Sequence, residues 1–186
     1  MNKGIRILLL AEALFLTAEG FLGPIWAIYV EKIGGDILDA SGAYAAFMIT
    51  AALITYFLGK FEQSQRFKSK FVVFGYLLGT LGFVGYLFVD NIWQLLVVQM
   101  ILGLTVAIKD PAYDGLYSKF AKKHLTLAWG EWEAMDYVAL GVSAVLGGII
   151  ARFLGFKSLI LIMVAFSLLG FFVSLSLLHL GRLKRS

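Results

Sequence analysis

Long apolar runs separated by short polar stretches make up most of the chain. A membrane-spanning helix needs about 20 mostly apolar residues. Six runs are about this long or somewhat longer: 5–29, 40–59, 71–89, 92–113, 127–150 and 158–180. The polar stretches between them are EKIGGDILD, KFEQSQRFKSK, the Asp90-Asn91 turn, YSKFAKKH and RFLGFK. This pattern predicts an all-α membrane protein, with residues 1–186 forming a single domain of six transmembrane helices.

The composition supports a membrane protein and argues against an enzyme. Hydrophobic residues make up 60% of the chain and charged residues 15%, against about 45–50% and about 25% in soluble domains. There is no cysteine and there are two histidines, so we expect no disulfide, metal site or cofactor. No G-x-S-x-G or H-E-x-x-H motif occurs, and nothing around Asp110 and Asp136 supports an intramembrane protease pair.

The distribution of Lys and Arg predicts the orientation, because cytoplasmic loops carry an excess of both. Of the 16 Lys and Arg residues, 12 fall at the N-terminus, in the second and fourth connections and at the C-terminus. The opposite side holds Lys32, Arg152 and Lys157, and Lys109 lies inside span four. We therefore predict a multi-pass protein of the plasma or inner membrane with both termini cytoplasmic. The asymmetry also explains the basic pI without a nucleic-acid partner. A signal peptide is the alternative for span one, but Glu12 interrupts its apolar run.

Charged residues inside the spans are confined to spans one, four and five. They are Glu12, Glu19, Lys109, Asp110, Glu131, Glu133 and Asp136. A charge at the bilayer centre costs about 2.5–3.5 kcal/mol, so these helices must turn a face to protein or to water, whereas spans two, three and six can face lipid. Glu12 and Glu19 are two helical turns apart and share a face, as do Glu133, Asp136 and Trp129. Glycines along span three, from Gly75 to Gly85, predict close helix packing.

The acids outnumber the one intramembrane lysine, and so many like charges cannot all stay ionised in a low dielectric. We therefore predict that they form proton or cation sites on a cavity, with Glu19 and Asp136 as first candidates and Glu12 and Glu133 as the next. Glu131 lies near the cytoplasmic end, where solvation accounts for it.

The remaining polar and aromatic residues of these spans allow further predictions. Lys109 is expected to pair with an acid on span one or five, and not with the adjacent Asp110. Trp132, Trp26 and Trp129 offer ring faces to an apolar or cationic substrate. Anchoring at the membrane interface is the alternative for Trp26 and Trp129. Pro111 is expected to kink or end span four, because proline lacks a backbone donor.

This arrangement resembles one half of a major facilitator superfamily transporter, of the N-terminal type. The local match is VVQMILGLTVAIKDPAYDGLYSKFAKKH followed by WGEWEAMDYVALGVSAVLGGIIARFLGF. The family often shows Q-x-x-x-G-x-x-x-A-x-x-x-P-A-Y, then a basic loop, a glycine at the start of span five and a late glycine pair. The matching residues are Gln99, Gly103, Ala107, Pro111, Ala112, Tyr113, Gly130, Gly147 and Gly148.

The sequence departs from the family pattern at three places. The family's loop between spans two and three usually reads G-x-x-x-D-R-x-G-R-[RK], and here it reads GKFEQSQRFK. The resemblance implies a gating role for Gly59, Glu62, Arg66 and Lys68 in this loop. Gln99 occupies the span-four position of an arginine in many proton-coupled members, so we add it to the candidate substrate or proton site. The antiporter motif G-x-x-x-G-P-x-x-G-G is replaced by ALGVSAVLGG.

The family resemblance also implies a function. Family members usually have twelve spans in two halves related by an axis along the membrane normal. Spans one and four line the cavity, spans two and five border it, and spans three and six lie outside. The resemblance thus implies a half-size secondary transporter that pairs with a second copy and moves a small solute by alternating access. The acids favour proton coupling with a cationic or amphipathic substrate. The alternative is one subunit of a heteromeric carrier, or a non-transporting accessory or scaffold membrane protein.

Overall fold

The computed structural model describes residues 2–60, 67–122 and 124–183. Helices are the regular elements throughout these ranges, and they contain no β-strand. The helices are α1 (Lys3–Gly20), α2 (Trp26–Lys32), α3 (Ile37–Lys60), α4 (Lys68–Gly85), α5 (Ile92–Ala121) and α6 (Leu125–Leu183), with short 3-10 turns at Gly23–Ile25 and Tyr86–Phe88. The all-α prediction is confirmed for the described residues.

Side-chain caps explain where α3 and α5 begin. Before α3, the Oδ1 of Asp36 accepts hydrogen bonds from the backbone nitrogens of Leu38 at 2.7 Å and Asp39 at 2.9 Å. The Oδ2 of Asp39 accepts one from the Asp36 nitrogen at 3.0 Å. The Oδ1 of Asn91 accepts from the Gln94 nitrogen and begins α5. Such caps satisfy the free N–H groups of a first helical turn.

α6 contains a break that divides it into a first limb, residues 125–154, and a second limb, residues 156–183. Gly155 has φ 80° and ψ 167°, which are not helical values. A Cβ atom added at Gly20 of α1 would meet Ser143 of the first limb, and Gly170 of the second limb approaches Ala11 of α1. Both limbs therefore lie along α1, and the chain reverses direction at Gly155.

Four helices of the described chain are long and apolar enough to cross a membrane. They cover Ile37–Gly59, Lys68–Phe88, Ile92–Ala121 and the broken helix Leu125–His179. α1, with 18 residues and two glutamates, is not among these four helices. The break at Gly155 divides the fourth of them into two limbs that run in opposite directions. The membrane-protein class is supported, and the count of six crossings remains a prediction.

The boundaries differ from the sequence prediction in spans one and four. The structure divides the predicted helix 5–29, because α1 ends at Gly20 and Pro24 lies in the 3-10 turn before α2. Span four was expected to end near Tyr113, but α5 continues to Ala121. Pro111 therefore does not end the helix. Membrane helices tolerate an internal proline when neighbouring groups satisfy the freed carbonyl.

The helices pack as two interlocked groups. α5 lies between α3 and α4, and α1 lies against both limbs of α6, while α4 also contacts α6. Along α4, the backbone of Gly75 approaches Lys109 of α5, and Gly82 approaches Leu102. The predicted close packing of span three through its glycines is confirmed, and the opposite side of α4 exposes Phe74.

The connections divide between two ends of the bundle. At one end, the Nζ of Lys32 lies 5.3 Å from the ring centroid of Phe156, and the rings of Tyr29 and Tyr86 are 5.7 Å apart. This brings together the first, third and fifth connections. At the other end, the hydroxyl of Tyr117 donates to the backbone oxygen of Ala128 across the fourth connection.

Candidate functional site

A cleft of about 740 Å³ lies between α1, α5 and the first limb of α6. Among the described residues that line the cleft, Lys109 is basic, and Phe15, Tyr113, Trp129 and Trp132 are aromatic. Carboxylates come from all three helices: Glu12, Glu19, Asp110, Asp114 and Asp136. Acidic groups therefore outnumber basic groups five to one in this lining, as the sequence predicted for a cavity on spans one, four and five.

The centre of the cleft wall is a buried ion pair between α1 and α5. The Nζ of Lys109 lies 2.6 Å from Oε1 of Glu12, and the two side chains are 4% and 5% exposed. The hydroxyl of Tyr76 on α4 donates to the other oxygen of Glu12 at 2.5 Å. The prediction that Lys109 pairs with an acid on span one or five is confirmed. This network joins three helices, because each of its members comes from a different one.

Lys109 also contacts the adjacent Asp110, which corrects an expectation. Its Nζ lies 3.1 Å from Oδ1 of Asp110, whose side chain is 43% exposed in the cleft. Neighbouring residues on a helix point in different directions, but the four-carbon lysine stem is flexible enough to span the difference. Lys109 therefore connects a fully buried carboxylate with one that faces the cavity.

Aromatic rings enclose the Lys109 ammonium. Its Nζ lies 5.1 Å from the ring centroid of Phe15, 5.3 Å from that of Tyr76 and 5.7 Å from that of Tyr113. Rings at this distance attract a cation through the negative potential of their faces. Glu12 and Lys109 thus balance each other inside a closed environment, and Glu12 is less available to a solute than the sequence suggested.

Glu19 and Asp136 have no such counter-ion. Glu19 is exposed on the cleft side of α1, and Asp136 is half-buried on the first limb. Within the described residues neither carboxylate forms a salt bridge, since the ion pairs there are those of Lys109. The cleft thus contains uncompensated acids at the two positions predicted first, and their binding role remains a prediction.

Several residues of the cleft were not predicted as site residues. Asp114 lies one helical turn beyond Asp110, so its spacing was a usable signal. Tyr113 appeared only within the family pattern. Its hydroxyl and the indole nitrogen of Trp132 are buried, and neither has a hydrogen-bond partner in the part of the chain that the structure describes. Tyr76 gave no signal, because an apolar span surrounds it in the sequence.

A second, smaller cavity of about 260 Å³ adjoins the cleft. Its lining includes Glu19, Phe15, Gly23 and Val106, which also line the cleft, and it includes Gln99 from α5. Most of the remaining lining is aromatic or aliphatic. The two cavities are therefore contiguous, and Glu19 is the carboxylate they share.

The other predicted site residues have different positions. Trp132 lines the cleft, but Glu133 is exposed and lies outside both cavities. Trp26 lines the smaller cavity and donates from Nε1 to the backbone oxygen of Ala40 at 3.1 Å. Glu131 lies at the fourth connection with His124, as expected for a solvated acid.

The predicted gating loop is described only at its edges. Gly59 lies in the last turn of α3, and Lys68 begins α4. The Lys68 side chain lies against Gly115 of α5. Glu62 and Arg66 lie outside the described residues. The gating role of this loop therefore remains a prediction.

Comparison with known proteins identifies the family. The family model of the Major Facilitator Superfamily matches residues 8–185. An uncharacterized MFS-type transporter of Methanocaldococcus jannaschii is 22% identical over 158 residues, which covers 84% of this chain and 41% of that protein. The chain thus spans about two fifths of the length of that relative. The match points to a membrane transporter and away from an enzyme. Since the family model covers nearly the whole chain, the chain belongs to the major facilitator superfamily.

Proposed function

We propose that the chain is a half-size secondary transporter that works as a homodimer and moves a small cationic or amphipathic solute by alternating access, coupled to protons. The observation that carries this proposal is the cleft with uncompensated acids at Glu19 and Asp136. Carboxylates that lack a counter-ion inside a membrane protein bind a proton or another cation, which removes the cost of an unpaired charge. An ion gradient can therefore act through these two residues.

The exposed apolar surface beside the cleft supports pairing with a second copy. α3 is the most exposed of the four candidate spans, because 11% of its most apolar stretch of 18 residues is buried. Its exposed side chains include Tyr44, Met48 and Leu53, and the first limb exposes Val138 and Val145. α3 borders the smaller cavity through Tyr44 and the first limb borders the cleft through Asp136, so a second copy docked against both helices would cover the two cavities. A closed twofold pair is the commonest form of oligomer.

The chain reversals support six crossings with both termini in the cytoplasm. Gly155 reverses α6, and the first, third and fifth connections lie at one end of the bundle while the fourth lies at the other. In the sequence, most of the basic residues fall at the termini and in the second and fourth connections. A multi-pass protein of the plasma or inner membrane in this orientation satisfies the preference for positive charge on the cytoplasmic side.

Transport by the purified protein in liposomes tests the proposal. With an outward-directed or inward-directed proton gradient, we expect uptake or release of at least one solute from a panel of amines and other small cations. Glu19→Gln and Asp136→Asn should each abolish the response to the gradient. Glu31→Gln is the matched control, because Glu31 is an exposed glutamate on α2 outside both cavities. Gradient-driven transport that survives both cleft substitutions would refute this assignment.

Native mass spectrometry from lipid nanodiscs separates the homodimer from the alternatives. A discrete dimer mass supports the proposed second wall. A strict monomer that catalyses no transport would instead favour a subunit of a heteromeric carrier or an accessory membrane protein, and would refute the homodimer.

A further inference from the structure

We propose that the smaller cavity is a subsite for the apolar group of an organic ammonium ion whose charge rests on Glu19. This proposal deepens the proposed function, on which it rests, by naming the class of solute. The cavity combines three features that such an ion needs: a contiguous aromatic wall, an unpaired carboxylate at its mouth, and a buried polar group within it.

The aromatic wall is built from rings on several elements. Phe15 of α1 packs on Phe83 of α4 with centroids 5.3 Å apart, and Phe83 stacks on Tyr86 at 6.5 Å. Tyr86 meets Trp26 of α2 edge to face at 6.4 Å. The hydrogen bond from Trp26 to the Ala40 oxygen fixes the orientation of the indole. The rings therefore form a preorganised surface that can bind both an apolar group and an adjacent positive charge.

Glu19 occupies the junction between this wall and the polar cleft. It lines both cavities and forms no ion pair with the described residues. Lys109 is already bound to Glu12 and Asp110. A solute with a positive group at Glu19 would therefore meet a free counter-ion, and its apolar substituent would extend into the aromatic cavity.

Gln99 supplies the buried polar group of the cavity. It is 6% exposed and lines the cavity. Its amide can donate to or accept from a polar group of a bound molecule or water.

The volume limits the size of the solute. Pockets for drug-sized ligands occupy about 300–1,000 Å³, and this cavity has about 260 Å³. The subsite therefore fits one ring or a short branched chain, and the larger cleft accommodates the ammonium and its hydration.

Equilibrium binding of radiolabelled benzyltrimethylammonium to the purified protein in nanodiscs tests the proposal. Two competitors separate its parts: tetramethylammonium carries the charge alone, and benzyl alcohol carries the ring alone. We expect the labelled ion to bind about tenfold more tightly than either fragment, because it uses the carboxylate and the aromatic wall together.

The substitutions then assign the two halves of the ion. Glu19→Gln should weaken binding of the labelled ion about tenfold, with competition by benzyl alcohol changed less than about twofold. Glu19→Asp should retain the preference for the charged probe. Trp26→Leu should weaken the labelled ion and benzyl alcohol together, and Glu31→Gln should change neither. Absence of saturable binding, or an equal loss of both probes in Glu19→Gln, would overturn the proposal.

This binding experiment uses no gradient, so its outcome is independent of transport. Saturable ammonium binding without transport would retain the subsite and refute the transporter. Gradient-driven transport of another solute without ammonium binding would retain the transporter and refute the subsite.

Discussion

The ion pair between Glu12 and Lys109 gives the sharpest test of how the bundle is held together. We consider the single substitutions Lys109→Met and Glu12→Gln and the double variant that combines them. Both side chains are about 95% buried, at 4% and 5% exposed, so neither charge can be left to water. The substitutions preserve most of the volume of each side chain, which limits effects from cavities.

The expected costs follow from the partners that each variant leaves behind. Lys109→Met leaves the buried Glu12 carboxylate with only the Tyr76 hydroxyl, and breaking a buried pair in this way costs about 3–5 kcal/mol. Glu12→Gln leaves Lys109 its contact with Asp110 at 3.1 Å, so a smaller cost of about 1–3 kcal/mol is expected. The double variant leaves no orphaned buried charge and should lie within about 1 kcal/mol of the wild type.

The free energy of unfolding in bicelles, measured by steric trapping, gives the three values on one scale. We expect a coupling energy of at least about 3 kcal/mol between the two positions, because the two single losses sum to about 4–8 kcal/mol and the double variant loses about 1 kcal/mol or less. If the double variant instead lost the sum of the two single losses, Glu12 and Lys109 would act independently. The pair would then not be the interaction that joins α1 to α5.

Three further predictions concern backbone packing and orientation. Gly75→Ala should destabilise the protein by about 1–3 kcal/mol, because the added Cβ would lie 2.5 Å from Cβ of Lys109 and 3.1 Å from its Cα. The control is Gly141→Ala, where no atom lies within 4 Å of the added Cβ and the cost should be less than about 0.5 kcal/mol. An equal loss of stability for both variants in thermal unfolding would contradict the packing argument. Gly155→Ala should cost about 1–2 kcal/mol by the same assay, because its φ of 80° is unfavourable for a residue with a Cβ, and an unchanged midpoint would contradict the chain reversal there. Glu31→Cys should react with a membrane-impermeant maleimide added outside intact cells, since the chain has no native cysteine; labelling only after permeabilisation would reverse the orientation.

The sequence predicted those features of the fold that depend on apolar length and on helix-ending residues. Asp90-Asn91 was predicted as a turn, and Asn91 caps α5. The Gly20–Pro24 interruption of the first span was missed, because the apolar run continues through it and hydropathy is insensitive to a bend. The continuation of α5 beyond Pro111 was also missed, because a proline predicts a kink or the end of a helix. Proline removes one donor, but neighbouring helices decide whether the helix continues.

The sequence predicted the site residues that carry a charge inside an apolar span. It could not predict which side chains on different helices interact. Charges inside apolar spans are costly, and this alone selected Glu12, Glu19 and Lys109. Helical periodicity could not show which of the two glutamates takes the lysine, because both lie on one face. In the structure Glu12 takes the lysine, and the hydroxyl of Tyr76 donates to its other oxygen; Tyr76 lies in span three, which contains no charged residue.

The two glutamates of α1 differ in whether they have a counter-ion, and this difference bears on how a homodimer would work. Glu12 is paired with Lys109 of the same chain, so its carboxylate already has a counter-ion. Glu19 and Asp136 lack counter-ions among the described residues, and a second copy would bring the same two acids to the opposite wall. Closing two acidic walls on each other costs electrostatic free energy, and a bound cation or proton removes that cost. In the proposed dimer, occupancy of these acids would therefore favour closure, which is the coupling between binding and conformation that alternating access requires.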